Sequence, residues 1–343
     1  MVRAKTVRFL RVSLAVLGVQ LDCAAVLRAQ AWVPPRGEGT VSLTYQNYDV
    51  IGHFDIQGRE NTNGGTRSQS LITELDYGVT DKIGLSLSLP FITSKYTGPP
   101  SYFVGPFKTF PGPLDDGSYH AAFQDLRVEA RRMFLTGPLA VTPFIGGLFP
   151  THDYETVGEA VPGRHRRELQ LGASASVRLD PLLGDGSVHV RYMYAAAERV
   201  NNFPYTRSNI DFEGDHAVVS RIALRGLARL QVSHRGPTLA ELEPDWVNHD
   251  RFIAPNYLEL GGGASVTLTQ SADVYALWVA TVSGSNGAHR AKTLAVGMSW
   301  SFGGGLGGLG AGASPSPRSH PMPRSPGPRP APWASILDVS DSR

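Results

Sequence analysis

Large apolar and small polar residues alternate along much of this chain. In DKIGLSLSLPF (81–91), Ile83, Leu85, Leu87, Leu89 and Phe91 take turns with Gly84, Ser86, Ser88 and Pro90. In an extended strand a period of two sends every large group to one face. ELQLGASASVRL (168–179) sets Leu169, Leu171, Ala173, Ala175, Val177 and Leu179 against Glu168, Gln170, Gly172, Ser174, Ser176 and Arg178. KTLAVGMSWSF (292–302) repeats the arrangement, with Leu294, Val296, Met298, Trp300 and Phe302 on one side. The face opposite the apolar one is built mostly from glycine, alanine and hydroxyls. Lipid outside and a water-containing lumen inside would suit such a strand.

The pattern predicts twelve strands, near 40–49, 68–79, 82–94, 122–134, 139–149, 167–179, 187–198, 209–224, 228–235, 255–269, 273–283 and 290–302. Tight links fall at 79–82, 135–138, 180–186, 225–228 and 270–273. Between them lie longer polar stretches at 50–66, 95–121, 151–166, 199–208 and 236–253, and a shorter one at 284–289. Short turns on one side and long loops on the other mark an outer-membrane meander. An even count brings both ends to the short-turn side and lets the first and last strands pair, which removes exposed edges. Tyr45, Tyr77, Phe91, Tyr96, Phe134, Phe149, Tyr192, Tyr194 and Trp300 stand near strand ends, where interfacial aromatic girdles belong. The expected fold class is all-β: a transmembrane up-and-down antiparallel β-barrel of about twelve strands.

The ends of the chain read differently. MVRAKTVRFLR, the apolar VSLAVLGV and Ala29–Ala31 at A-x-A spacing have the order of a secretory signal, with cleavage expected before Trp32. Asp22 before Cys23 argues against lipidation. Three regions follow: a signal peptide (1–31), a barrel (32–302) and a Gly/Pro-rich tail (303–343) too poor in apolar residues to fold. Cys23, the only cysteine, would leave with the signal, so no disulfide or thiolate chemistry is expected. Residues 32–343 carry 27 bases and 29 acids. That balance leaves no basic footprint for nucleic acid.

With the strands laid out, the chain resembles the outer-membrane transporter family named after the meta-pathway of phenol degradation. The likeness rests on ELDYGVTDKIGLSLSLPF (74–91), FQDLRVEARRMF (123–134), GGLFPTHD (146–153) and AVGMSWSF (295–302). It implies an outer-membrane channel for small, often hydrophobic or aromatic molecules. The closing stretch, with Gly297, Trp300 and Phe302, also resembles the end-strand signal read by the barrel-assembly machinery, although some forty residues follow Phe302. The partners so implied are outer-membrane lipid, that machinery and a small solute.

Candidate chemistry is sparse. The ten histidines are scattered without metal-ligand spacing, so neither metal nor cofactor is expected. His216 and Ser220 in DHAVVSR would share one face of a strand at ~13 Å, too far to share a proton. A membrane-embedded hydrolase is therefore not expected. By parity, Glu74, Asp76, Asp125, Glu129, Glu168 and Glu259 point into the lumen, with Arg127, Arg131, Arg178, Arg191, Arg221 and Arg229. They would line a pore or pair with one another in a filled interior, and twelve strands fall between filled and open barrels. In the loop GPPSYFVGPFKTFPGPLDDG (98–117), Tyr102, Phe103, Phe107 and Phe110 would form a greasy entrance or a plug. A closed structural or adhesive barrel acting through such loops is the rival to a channel.

Overall fold

The computed structural model describes residues 31–303 except 63, 100–101, 104–108, 111, 136, 180–185, 242–250 and 252. Among the described residues, twelve strands form one antiparallel sheet that closes on itself. They are β1 (Gly39–Phe54), β2 (Gly65–Thr80), β3 (Ile83–Thr97), β4 (Leu126–Arg132), β5 (Leu139–Phe149), β6 (Glu168–Arg178), β7 (Gly186–Val200), β8 (Phe203–Val219), β9 (Ile222–Arg235), β10 (Asn256–Thr267), β11 (Ala272–Ser285) and β12 (His289–Phe302). Each pairs with the next, and β1 pairs with β12 from Gly39↔Phe302 to His53↔His289. Closure satisfies both sheet edges, as a span in lipid requires. A short segment, His120–Phe123, continues the line of β4 along β3. Gln124 and Asp125 interrupt the two.

Side-chain parity sorts the surfaces. On β6, Leu169 and Leu171 are exposed on the outside while Gln170, Ser174 and Ser176 are buried inside. On β12, Leu294, Val296 and Trp300 face out, and Thr293, Ala295 and Ser299 face in. The outer wall is thus an apolar belt, with large hydrophobics such as Ile145, Leu224 and Trp278 half exposed around it. No helix among the described residues is long and apolar enough to cross a membrane. The strands would do so.

Two chain reversals differ from the sequence expectation. The stretch 199–208 is mostly strand: Asn201 and Asn202 alone make the reversal, at φ 48° and 68°. Two consecutive left-handed residues give a tight hairpin turn, which asparagine tolerates. The RGLA turn expected at 225–228 is strand interior, and the reversal lies at Ser220–Arg221. Gly226 pairs with Gly214 on one side and Gly262 on the other, so these glycines form a cross-strand row.

The segment before β1 enters the short-turn end of the lumen. Ala31, Trp32 and Val33 are buried against Met133 and Ala140. Trp32 Nε1 donates to the Gly137 carbonyl at 3.3 Å, and Thr142 donates its hydroxyl to the Ala31 carbonyl. The expected signal (1–30) and tail (304–343) lie outside the described residues.

Candidate functional site: the lumen and its inward loop

The lumen has two chemically distinct walls. Ile72, Leu227, Tyr275, Leu277, Val279 and Ala295 make an apolar cluster on one side. The wall carried by β4 and β6 to β9 holds most of the charge. Buried charges demand partners, and the strands supply them across the lumen and along it.

Of the charges expected to face inward, most do. Asp76 pairs with Arg131 at 2.6 Å and accepts a hydrogen bond from the Ser86 hydroxyl at 2.7 Å. Glu129 receives Arg191 at 2.5 Å and lies 3.5 Å from Arg127. Arg191 also covers the Phe144 ring at 3.6 Å. Glu74 accepts from the Ser42 hydroxyl at 3.3 Å. Glu168 pairs with Arg207 and holds Gln170 at 2.7 Å. Glu259 is buried beside its cross-strand neighbour Arg229, which pairs with Asp211 at 2.6 Å. Two expected lumen groups are elsewhere. Arg178 is exposed at the short-turn rim, its guanidinium 4.8 Å from the Trp32 ring, and Arg221 is exposed in a turn. Both have inward parity, but each strand ends there.

Sequence alone did not single out Arg207, Asp211 and Asp215: Arg207 falls in 199–208, whose polar composition resembles a loop, whereas Asp211 and Asp215 fall in the expected strand 209–224. The alternation Tyr205, Arg207, Asn209, Asp211, Glu213, Asp215 was the available signal. Asp215 belongs to a buried cluster in which His189 meets Asp215 at 3.0 Å and the Ser187 and Ser176 hydroxyls at 2.8 and 2.9 Å. Those are the residue types of a hydrolytic triad. Trp32 packs edge-on against His189 at 6.2 Å, and the histidine is 5% exposed. His216 remains on β8, while Ser220 sits exposed in the turn beyond the strand.

The loop that folds inward is 150–167. Gly158, Ala160 through Arg164 and Arg166 are buried. The Asp115 carboxylate accepts from the Glu159 and Ala160 N–H groups at 2.9 and 3.1 Å. Thr66 donates to the Glu159 carbonyl at 2.9 Å, and Arg251 donates to the Arg164 and His165 carbonyls at 3.3 and 3.2 Å. The loop therefore reaches from β5 and β6 to β2 and to the segment before β10. Burial and the adjacent Asp125 charge push the Tyr154 hydroxyl well above its ordinary pKa. Burial and the Arg164 charge push the Arg166 guanidinium down to about 9. In the 98–117 loop expected to do this work, Tyr102–Phe103 pairs with Thr109–Phe110 through the backbone. The position of Phe107 and the side chains of Tyr102, Phe103 and Phe110 lie outside the described residues.

The end-strand residues are split between faces. Gly297 lies under the Tyr275 ring, where a Cβ would collide with it. Trp300 and Phe302 point outward, and Phe302 stacks on Tyr77 with centroids 6.5 Å apart.

The backbone resembles a solved structure titled as the COG4313 outer membrane channel from Pseudomonas putida F1, with a TM-score of 0.61 at 12% identity over 81% of this chain and 100% of that one. The fold is that of an outer-membrane barrel. The NanC porin aligns at a TM-score of 0.43 and 10% identity, over 75% of this chain and 98% of that one. The KdgM porin gives 0.42 and 9%, over 76% and 99%. No family model and no curated protein matches the sequence. At 12% identity the likeness to the COG4313 channel concerns the barrel fold alone, and the solute must be argued from the lumen itself.

Proposed function

We propose that this protein is an outer-membrane channel through which small solutes pass passively, with the 150–167 loop as its gate. The observation that supports it is the lumen's composition: a column of charges runs beside an apolar wall, and a loop held by a few polar contacts crosses the long-loop mouth. A solute with an apolar body and a polar end suits both walls. That agrees with the small hydrophobic or aromatic molecules implied by the phenol-pathway resemblance. In this reading the chain is exported by its signal, assembled through its closing strand by the barrel-assembly machinery, and oriented with the long loops outside the cell.

The rival is a closed structural barrel acting through its outer loops, and one observation favours it. Inward side chains such as Thr44, Gln46, Ser68, Gln170 and Gln231 are essentially without solvent contact. Passage therefore requires the gate to withdraw. Planar-bilayer conductance and liposome swelling should be small for the intact protein and rise several-fold when 151–163 is replaced by a short Gly/Ser linker. A folded, loop-shortened barrel that passes neither ions nor small aromatics would end the channel reading.

A further inference from the structure

The long-loop mouth contains three guanidinium groups around one phenol ring. Arg166 lies 4.6 Å from the Tyr205 ring centroid, Arg164 5.4 Å and Arg207 5.5 Å. All are buried: Arg166 is 4% exposed and Arg164 7%. Arg207 has its acid in Glu168. Among the described residues neither of the other two has a carboxylate within ion-pair distance, and the nearby Asp125 is engaged by the Tyr154 hydroxyl. The Nε of Arg164 and the Nε and Nη1 of Arg166 are buried without a hydrogen-bond acceptor. Buried donors are almost always satisfied, by protein, water or an ion, and a buried cation lacking a counter-charge is costly. The ring face attracts the cations but accepts none of their directed N–H bonds.

We propose that Arg164 and Arg166, with Arg207 and Tyr205, bind the carboxylate of a small aromatic acid at this mouth. The proposal rests on the channel reading and names the solute's chemistry. A carboxylate fits because its two oxygens match the parallel N–H donors of a guanidinium fork. An apolar body fits because Arg164 also donates to the Ile253 carbonyl at 3.5 Å, and Ile253 forms a buried cluster with Val200. Arg164 and Arg166 are both on the gate loop, so occupancy would be felt by the gate.

The test is calorimetric titration of the full-length protein in detergent with benzoate and with benzamide, its uncharged near-isostere. Benzoate should bind at least about tenfold more tightly, the order expected for one charge-assisted contact. The preference should disappear in Arg164→Gln/Arg166→Gln and partly survive in Arg166→Lys. Heat-modifiable gel migration reports whether each variant has folded; should the double variant fail, the wild-type comparison still decides. Equal binding of benzoate and benzamide, or a preference unchanged in the folded double variant, overturns the site. Conductance without benzoate preference leaves the channel standing and removes the site. Benzoate preference in a barrel that never conducts keeps the site and removes the channel.

Discussion

Tyr154 donates its hydroxyl to the Asp125 carboxylate at 2.5 Å, tying the inward loop to an interruption in a barrel strand. The same oxygen accepts the His165 N–H at 2.9 Å. Asp125 lies in the break between His120–Phe123 and β4, so the strand's irregularity turns a carboxylate toward the loop. Tyr154→Phe should remove this latch, costing about 1–2 kcal/mol in a buried charge-assisted bond. Faster limited proteolysis within 150–167, with the barrel intact, is the expected result.

The latch should also resist alkali. The folded-state pKa of Tyr154 is raised, so its stabilisation is complete below the unfolded value of about 10 and is lost only as pH rises toward the folded value. The difference in loop proteolysis between wild type and Tyr154→Phe should stay constant from neutral pH to about 9.5. A difference that vanished below that point would contradict the assignment.

Arg131 is held by Asp76 in the lumen at 2.6 Å. Asp76→Asn leaves a buried guanidinium without its charge partner and should cost about 3–5 kcal/mol. Asp76→Leu/Arg131→Met removes both charges and should cost less than the single change. Urea unfolding of the barrel in lipid, followed by tryptophan fluorescence, measures both.

Leu171 faces outward and is 46% exposed. Leu171→Arg should destabilise the membrane-inserted barrel by about 2–4 kcal/mol near mid-bilayer. Leu171→Phe should change it by less than about 1 kcal/mol. The same unfolding assay distinguishes an outer wall in lipid from one in water, where the two changes would be equally mild.

Gly297 leaves room for the Tyr275 ring, whose hydroxyl meets Thr44 at 2.5 Å. Gly297→Ala should cost about 1–3 kcal/mol through overpacking. A double-mutant cycle with Tyr275→Leu should show that the two losses do not add.

Cys23 is the only cysteine, so single cysteines can report orientation. Gln57→Cys, in the long loop after β1, should react with a membrane-impermeant maleimide on intact cells. Asp81→Cys, in the tight β2–β3 turn, should react only after permeabilisation. The opposite pattern would invert the barrel.

The sequence by itself carried the architecture: strand period, even count and the two long-loop and short-turn ends follow from local alternation. Leu85 outside and Ser86 inside is a matter of parity, and parity is readable along one strand. It also placed Glu129 and Arg191 in the lumen, but only closure brought them within 2.5 Å, because they lie on β4 and β7. The Asn201–Asn202 turn was lost because a tight asparagine reversal and a polar loop have the same composition. Gly226 misled for the converse reason, since a glycine within a strand looks like a turn. The inward course of the 150–167 loop was invisible in sequence. GGLFPTHDYETVGEAVPGRHRR resembles any polar loop, and what turns it inward is distant in the chain: Thr66, Asp115 and Arg251 each hold its backbone. Which charges remain unpaired was likewise decided in three dimensions, because pairing depends on distances between strands that no single-strand pattern contains.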